Sequence, residues 1–288
     1  MQTPLIDASP SFKRFGSLRR LRSARSGHAS TVHVRHQLYV GRDKRTRADA
    51  LIKVTSKPGL VYERNLANEV ATLKSINQQL PDSPYFPFLW DHGRLADGRM
   101  FMIMSLFDEW PLATTIGPEP MPDRLVATLR TSMAIATALS DLHRIDICHV
   151  DLNPMNVLYR LQQGRPFIRI VDFESSYEAG RHSSGTAYNP PTTPGFSAPE
   201  LTDRLPDARA DVFSLGAMAY TMLRGYGWTL GRELSAEIDA DRAIDTELRT
   251  CLLRAVARDV ERRYQSVIAM HDALGAYLES IWPGRPLS

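Results

Sequence analysis

The chain has 288 residues, of which 43% are hydrophobic and 23% charged, the composition of an ordinary globular protein rather than a disordered or fibrous one. A net charge of +3 is too mild to call for a nucleic-acid partner, and no apolar run is long enough to span a bilayer. The two cysteines, Cys148 and Cys251, exclude a disulfide scaffold and suit a reducing compartment, so a cytoplasmic location is expected.

In chain order, Lys13, Arg14, Arg19, Arg20, Arg22 and Arg25 crowd an opening stretch poor in acids. Residues 1–26 therefore read as a flexible basic arm, with contact to an acidic surface, anionic lipid, or a modification site at Ser23 as sharper readings. From there Val32, Val34, Leu38 and Val40 alternate with polar residues, and the apolar run Asp49–Val54 follows, so two strands are expected with a turn at Gly41–Lys44. Lys53 ends that run; by itself such a lysine could simply snorkel to solvent. Leu66, Val70, Leu73 and Ile76 recur at three- and four-residue steps and predict a helix over 62–77 that also carries Glu69. The methionine-rich run 99–107 reads as a strand entering a polar break at Asp108–Glu109.

Pro122 and Asp123 open a long helical pattern to Arg144, with Leu125, Leu129, Met133, Ala136, Leu139 and Leu142 on one stripe. Two short apolar runs, Val157–Tyr159 and Ile168–Val171, flank Gln163–Gly164 and predict a hairpin. Asn156 precedes the first run and Asp172 follows the second, so the hairpin brings an amide and a carboxylate together. Asp151 lies five positions before Asn156. A lone Asp or Asn in a loop is usually turn chemistry. Three of them in this order and spacing, between these elements, call for another explanation.

The pattern His149-x-Asp151-x-x-x-x-Asn156, followed by Asp172-Phe173-Glu174, resembles the catalytic core of the eukaryotic-type protein kinases. Ala50–Lys53 is similar to the strand of that family that holds a phosphate-gripping lysine, and Glu69 to its helical partner. Thr192–Glu200 resembles the segment ending in A-P-E, Asp211–Gly216 the start of a buried helix that holds the catalytic loop, and Asp259–Tyr264 the closing motif whose Arg263 would pair with Glu200. The resemblance implies an α+β, bilobal fold: a small β-rich lobe with one main helix over 27–104, a hinge over 105–108, a larger helical lobe over 109–282, and a tail at 283–288. It implies ATP and Mg²⁺, with Mn²⁺ as a substitute, and a protein substrate. Asp151 would orient the substrate hydroxyl, Asn156 and Asp172 would hold metal, and Lys53 with Glu69 would hold the phosphates. Thr193 would mark serine/threonine specificity. Gly27, Val32, Met104, Ser105 and Phe107 would surround the nucleotide.

Departures from the family pattern fall at several points, of which a valine in place of proline at Val260 matters little. The glycine-rich loop keeps only Gly27, with His28 where a small residue is usual. Val150 stands in place of an arginine that normally pairs with an activation-segment phosphate, so phosphorylation at Ser175, Ser176, Ser183, Ser184, Thr186 or Thr192 is not expected to be the main switch. Asn153 replaces a lysine that neutralises the transferring phosphoryl group but can still donate a hydrogen bond. Glu174 replaces a glycine and adds a carboxylate near the metal. The expected activity is that of an ATP-dependent protein serine/threonine kinase, with an ATP-binding pseudokinase scaffold and a small-molecule phosphotransferase as alternatives.

Overall fold

The computed structural model describes residues 9–21, 35–115, 124–182, 193–225 and 233–283, apart from the side chain of Val61. The expectations attached to Arg22, Ser23, Arg25, Gly27, His28, Val32, Val34, Pro122, Asp123, Ser183, Ser184, Thr186 and Thr192 lie outside these residues. The chain divides into two compact units, Met1–Asp82 with Pro87–Asp108, and Ser83–Phe86 with Glu109–Ser288. Among the described residues no helix is long and apolar enough to cross a membrane.

The first unit is built on an antiparallel sheet of five strands, β1 (Phe15–Arg20), β2 (His36–Asp43), β3 (Asp49–Thr55), β4 (Leu89–Arg94) and β5 (Met100–Ser105), in the order β1-β2-β3-β5-β4. Alternate residues of β3 and β5 point to opposite faces. Ala50, Ile52, Val54, Phe101 and Ile103 fill one buried cluster with Phe12, Phe15 and Leu95. Lys53 and Met102, paired across the two strands, belong to the other set. The helix α1 (Leu60–Gln79) extends the predicted span by two residues at each end.

Over its described residues 9–21, the basic opening stretch departs from its reading as a flexible arm. Residues Pro10–Arg14 form a 3₁₀ turn capped by Ser9, and β1 pairs with β2. Phe12 and Phe15 are fully buried, with Phe12 edge-on to Phe101 at 4.8 Å between ring centroids. Charge density hid two aromatic anchors. The turn expected at Gly41–Lys44 also shifts: β2 runs through Gly41 to Asp43, and the Asp43 carboxylate accepts the Arg45 and Thr46 amides at 2.8 and 2.9 Å to close the turn instead.

The second unit is mainly helical. A long helix α3 (Arg124–Arg144) packs against α5 (Ala208–Arg224) and α8 (Val267–Ile281). Every residue of α5 from Ala210 to Met222 is buried. Gly216 is what lets α7 (Thr246–Ala255) approach it, since a Cβ there would lie 2.7 Å from the Ala255 Cβ. Shorter pieces complete the unit: β6 (Trp110–Pro111), α2 (Leu112–Thr115), β7 (Ile147–Cys148), β8 (Val157–Gln162), β9 (Arg165–Ile170), β10 (Tyr177–Glu178), α4 (Ala179–His182) and α6 (Leu234–Ala240). β8 and β9 form the expected hairpin, joined by Gln163 and Gly164 at φ 52° and 78°, the double positive φ of a tight turn that follows strand twist.

Two consequences are measurable. Truncating a buried phenylalanine removes its contacts and leaves a void, so Phe12→Ala is expected to destabilise the protein by about 3–5 kcal/mol in urea unfolding; an unchanged midpoint would return residues 9–15 to the status of a loose arm. In α1, the Arg94 guanidinium, with the Gly59 amide, holds the Glu63 carboxyl down at about 2. A carboxyl lowered in the folded state contributes stability that is present above about pH 4.5 and lost as pH falls towards 2. Glu63→Gln should therefore show a shallower decline of unfolding midpoint across that window than the parent protein.

Candidate active site

In the first unit, the strand and the helix meet through one ion pair. The Lys53 ammonium donates to both carboxylate oxygens of Glu69, at 2.9 and 2.7 Å. Lys53 is buried and Glu69 fully so, which rejects the snorkelling alternative. Met104 is buried in β5 opposite Leu51. Ser105 ties β5 to the entry of β4: its hydroxyl accepts the Phe88 amide, and its own amide donates to the Phe88 carbonyl, both at 2.9 Å. Phe107 follows, half-buried.

In the second unit, the loop after β7 is fastened from beneath by a single carboxylate. Asp211, in the first turn of α5 and fully buried, accepts the His149 amide at 2.9 Å and the Val150 amide at 2.8 Å. The His143 ring, in the last turn of α3, sits 2.8 Å from the same carboxylate. Burial alone would push the Asp211 carboxyl up, but the His143 bond, the nearby histidine charges and the Val150 amide outweigh it and keep the group ionised below its usual range. Val150 has φ 69°, a conformation that costs a β-branched residue about 1–3 kcal/mol and persists where the surroundings enforce it. Its side chain is fully buried. The valine that replaces an arginine is thus part of the core under the loop.

Within the loop, side-chain amides do the positioning. Asn156 and Asn153 both donate to the Asp151 carbonyl, at 2.9 and 3.0 Å. The Asn153 oxygen accepts the Met155 amide at 3.0 Å. Asn153, buried, is therefore a staple of the loop backbone. For Asn156, donation through nitrogen leaves the amide oxygen as the atom suited to a cation. The Val171 amide donates to the Asn156 carbonyl at 2.9 Å, which brings the approach to Asp172 beside Asn156. Asp172 has φ 69°. One carboxylate oxygen of Glu174 lies within 4.8 Å of one of Asp172. Phe173 is fully buried, 5.1 Å from the His149 ring, whose Nε2 faces the Val171 carbonyl at 3.1 Å.

The Thr193 hydroxyl donates to one Asp151 carboxylate oxygen at 2.5 Å. Burial raises the Asp151 carboxyl above its ordinary value and the charge of Asp172 adds to this, while the Thr193 and Asn153 bonds and His149 pull it back. Cys148 is buried with its thiol pushed far up by burial, which makes it inert. Downstream, the fully buried Arg263 guanidinium forms a two-pronged pair with Glu200, both contacts at 2.6 Å, as the sequence led one to expect. His143 was not foreseen. Its only sequence signal is a place in the last turn of α3, where histidines commonly cap a helix.

The comparisons with known proteins agree with this geometry. A family description, protein kinase domain, matches residues 37–268. The chain is 31% identical over 191 residues to the serine/threonine-protein kinase Pkn1 of Myxococcus xanthus, covering 61% of this chain and 27% of that one. It is 29% identical over 248 residues to human serine/threonine-protein kinase ULK3, covering 83% and 48%. The chain thus spans less than half the length of either relative. Among solved structures, the Mycobacterium tuberculosis PknI kinase domain superposes with a TM-score of 0.59 at 21% identity, over 91% of this chain and 96% of that one. The Cydia pomonella granulovirus kinase PK-1 gives 0.65 at 16%, over 91% and 95%. At such identities these two speak for the fold.

Removing Glu200 would leave the Arg263 charge buried without its carboxylate, so Glu200→Ala is expected to cost about 3–5 kcal/mol in chemical unfolding; a loss below 1 kcal/mol would mark the pair as incidental. The chain belongs to the protein kinase domain family.

Proposed function

We propose that this protein is an ATP-dependent protein serine/threonine kinase that transfers the γ-phosphate of ATP to a protein hydroxyl. The hydrogen bond from Thr193 to Asp151 carries this reading. It occupies one carboxylate oxygen, and we propose the other as the acceptor of the proton of an incoming hydroxyl. The raised pKa of Asp151 makes it a better-matched base than an exposed carboxylate.

Asn156 and Asp172 are the proposed metal ligands, an amide oxygen and a carboxylate of the kind that Mg²⁺ takes, with Mn²⁺ as a working substitute. When bound, the cation neutralises charge on the phosphates during transfer. Lys53, held straight by Glu69, is proposed to grip the phosphates. Met104, Ser105 and Phe107 are proposed to line the adenine site, with Gly27 and Val32 covering the nucleotide. Asn153 fixes the loop and brings no positive charge, so transfer should be slower than where a lysine stands in its place. The buried Val150 leaves no arginine to latch a phosphorylated activation segment, and we propose regulation by other means. Two free cysteines support a cytoplasmic site of action, and the exposed Arg19 and Arg20 could meet an acidic surface.

The deciding assay supplies labelled ATP with Mg²⁺ or Mn²⁺ and a generic protein acceptor. Transfer is expected, falling about 10²–10⁴-fold in Asp151→Ala while ATP affinity stays within a few fold. ATP binding without transfer would replace the reading by that of a scaffold, and transfer to small molecules alone would replace the substrate class.

A further inference from the structure

In the second unit, the β8–β9 hairpin that leads to Asp172 carries two arginines on one face. Cross-strand pairing sets Arg160 against Phe167, and Arg169 lies two residues further along β9, on the same side. Both guanidiniums lie over the Phe167 ring, at 4.9 and 5.0 Å from its centroid. Neighbouring like charges on one face of a sheet are destabilising unless something answers them. Glu109 answers both. Its Oε1 lies 3.3 Å from the Arg160 Nε and 3.2 Å from the Arg169 Nε. Strand register puts it there: β6 pairs Trp110 with Tyr159, so the residue before Trp110 falls beside Arg160.

The two arginines are not equivalent. The Glu109 side chain is 3% exposed, that of Arg169 21% and that of Arg160 48%. A half-exposed ion pair contributes little, so the Arg169 arm is the one that holds. Arg169 also donates through Nη1 to the Pro84 carbonyl at 2.5 Å. Next to that bond the Ile170 amide donates to the Tyr85 carbonyl at 2.8 Å, and the Phe86 ring meets the Phe173 ring edge-on at 6.0 Å. Pro84, Tyr85 and Phe86 therefore follow the end of β9 and reach the residue after Asp172. One guanidinium joins this segment to Glu109 and closes a bracket around the strand end.

Asp172 follows in the left-handed region, at φ 69°, so the direction of its carboxylate depends on how firmly the residues before it are held. Asn156 holds the Val171 amide, and the bracket holds Ile170 and Arg169. We propose that Arg169, fastened by Glu109, is a positioning residue for the cation: it fixes the end of β9 so that the Asp172 carboxylate and the Asn156 amide oxygen serve one metal ion. This rests on the reading of Asn156 and Asp172 as metal ligands. Loss of the bracket should weaken the hold on the metal and leave the nucleotide's own contacts in place.

The test measures, by calorimetry on the full chain, the affinity for a non-hydrolysable ATP analogue in EDTA and in saturating Mg²⁺. Mg²⁺ is expected to tighten binding in the parent protein. In Arg169→Met, which keeps the aliphatic stem beside Phe167, that gain should shrink about tenfold, the scale of losing a group that orients a metal ligand, while affinity in EDTA stays within about twofold. Glu109→Gln, which removes the charge and keeps the shape, should do the same. The double variant should lose no more than either single one, because the two residues act through one contact. A weakened fold would lower both affinities alike, so their ratio separates positioning from stability. An undiminished gain in both variants would overturn the role of Arg169 and leave the kinase reading standing. A parent protein that binds the analogue no better with Mg²⁺ than in EDTA would overturn the metal ligands and this proposal with them.

Discussion

The buried carboxylate of Asp211 is the constraint on which the reactive loop depends. Placing an ionised carboxylate in a protein interior costs several kcal/mol unless its lone pairs are met. Here two backbone amides and an imidazole meet them. The amides belong to His149 and Val150, immediately before Asp151, so the same interactions that offset burial also fix the direction in which Asp151 leaves the core. The left-handed conformation of Val150 is tolerated because Asp211 takes its amide and the core takes its side chain. Local backbone cost is thus exchanged for position at the reacting group.

Around that anchor, the departures from the family pattern acquire physical meanings. Val150 completes a hydrophobic floor and gives up a cationic latch. Asn153 spends its amide on the backbone and gives up the positive charge that the family pattern carries there. Glu174 sets a second carboxylate close to Asp172, increasing negative charge where cations are proposed to bind. All three changes lower positive charge or raise negative charge in one small region. Asp151, Asn156 and Asp172, the groups proposed as base and metal ligands, remain with their supports.

Much of this was legible in the sequence because the signals were short-range. Apolar strand-like runs located β2 and β3, helical periodicity located α1 and α3, and a Gln-Gly pair located the hairpin turn that brings Asn156 beside the approach to Asp172. Local spacing fixed these, since strands and helices have fixed periods. The arginine-rich opening was misread for a related reason. Charge dominates a composition window, whereas burial of Phe12 and Phe15 depends on Phe101 and Ile52, dozens of residues away.

What the sequence by itself determined was the kinase family, the identity of its chemical groups and the order in which the chain presents them. Only the tertiary structure decided how those groups are used. It showed that His143 supports Asp211 from a distant helix, that the Asn153 amide is consumed within its loop, and that Arg169 joins Glu109 to the Pro84 carbonyl. Each of these depends on which side chains meet across long sequence separations, where side-chain hydrogen bonds and packing volumes are settled and no periodicity carries the information.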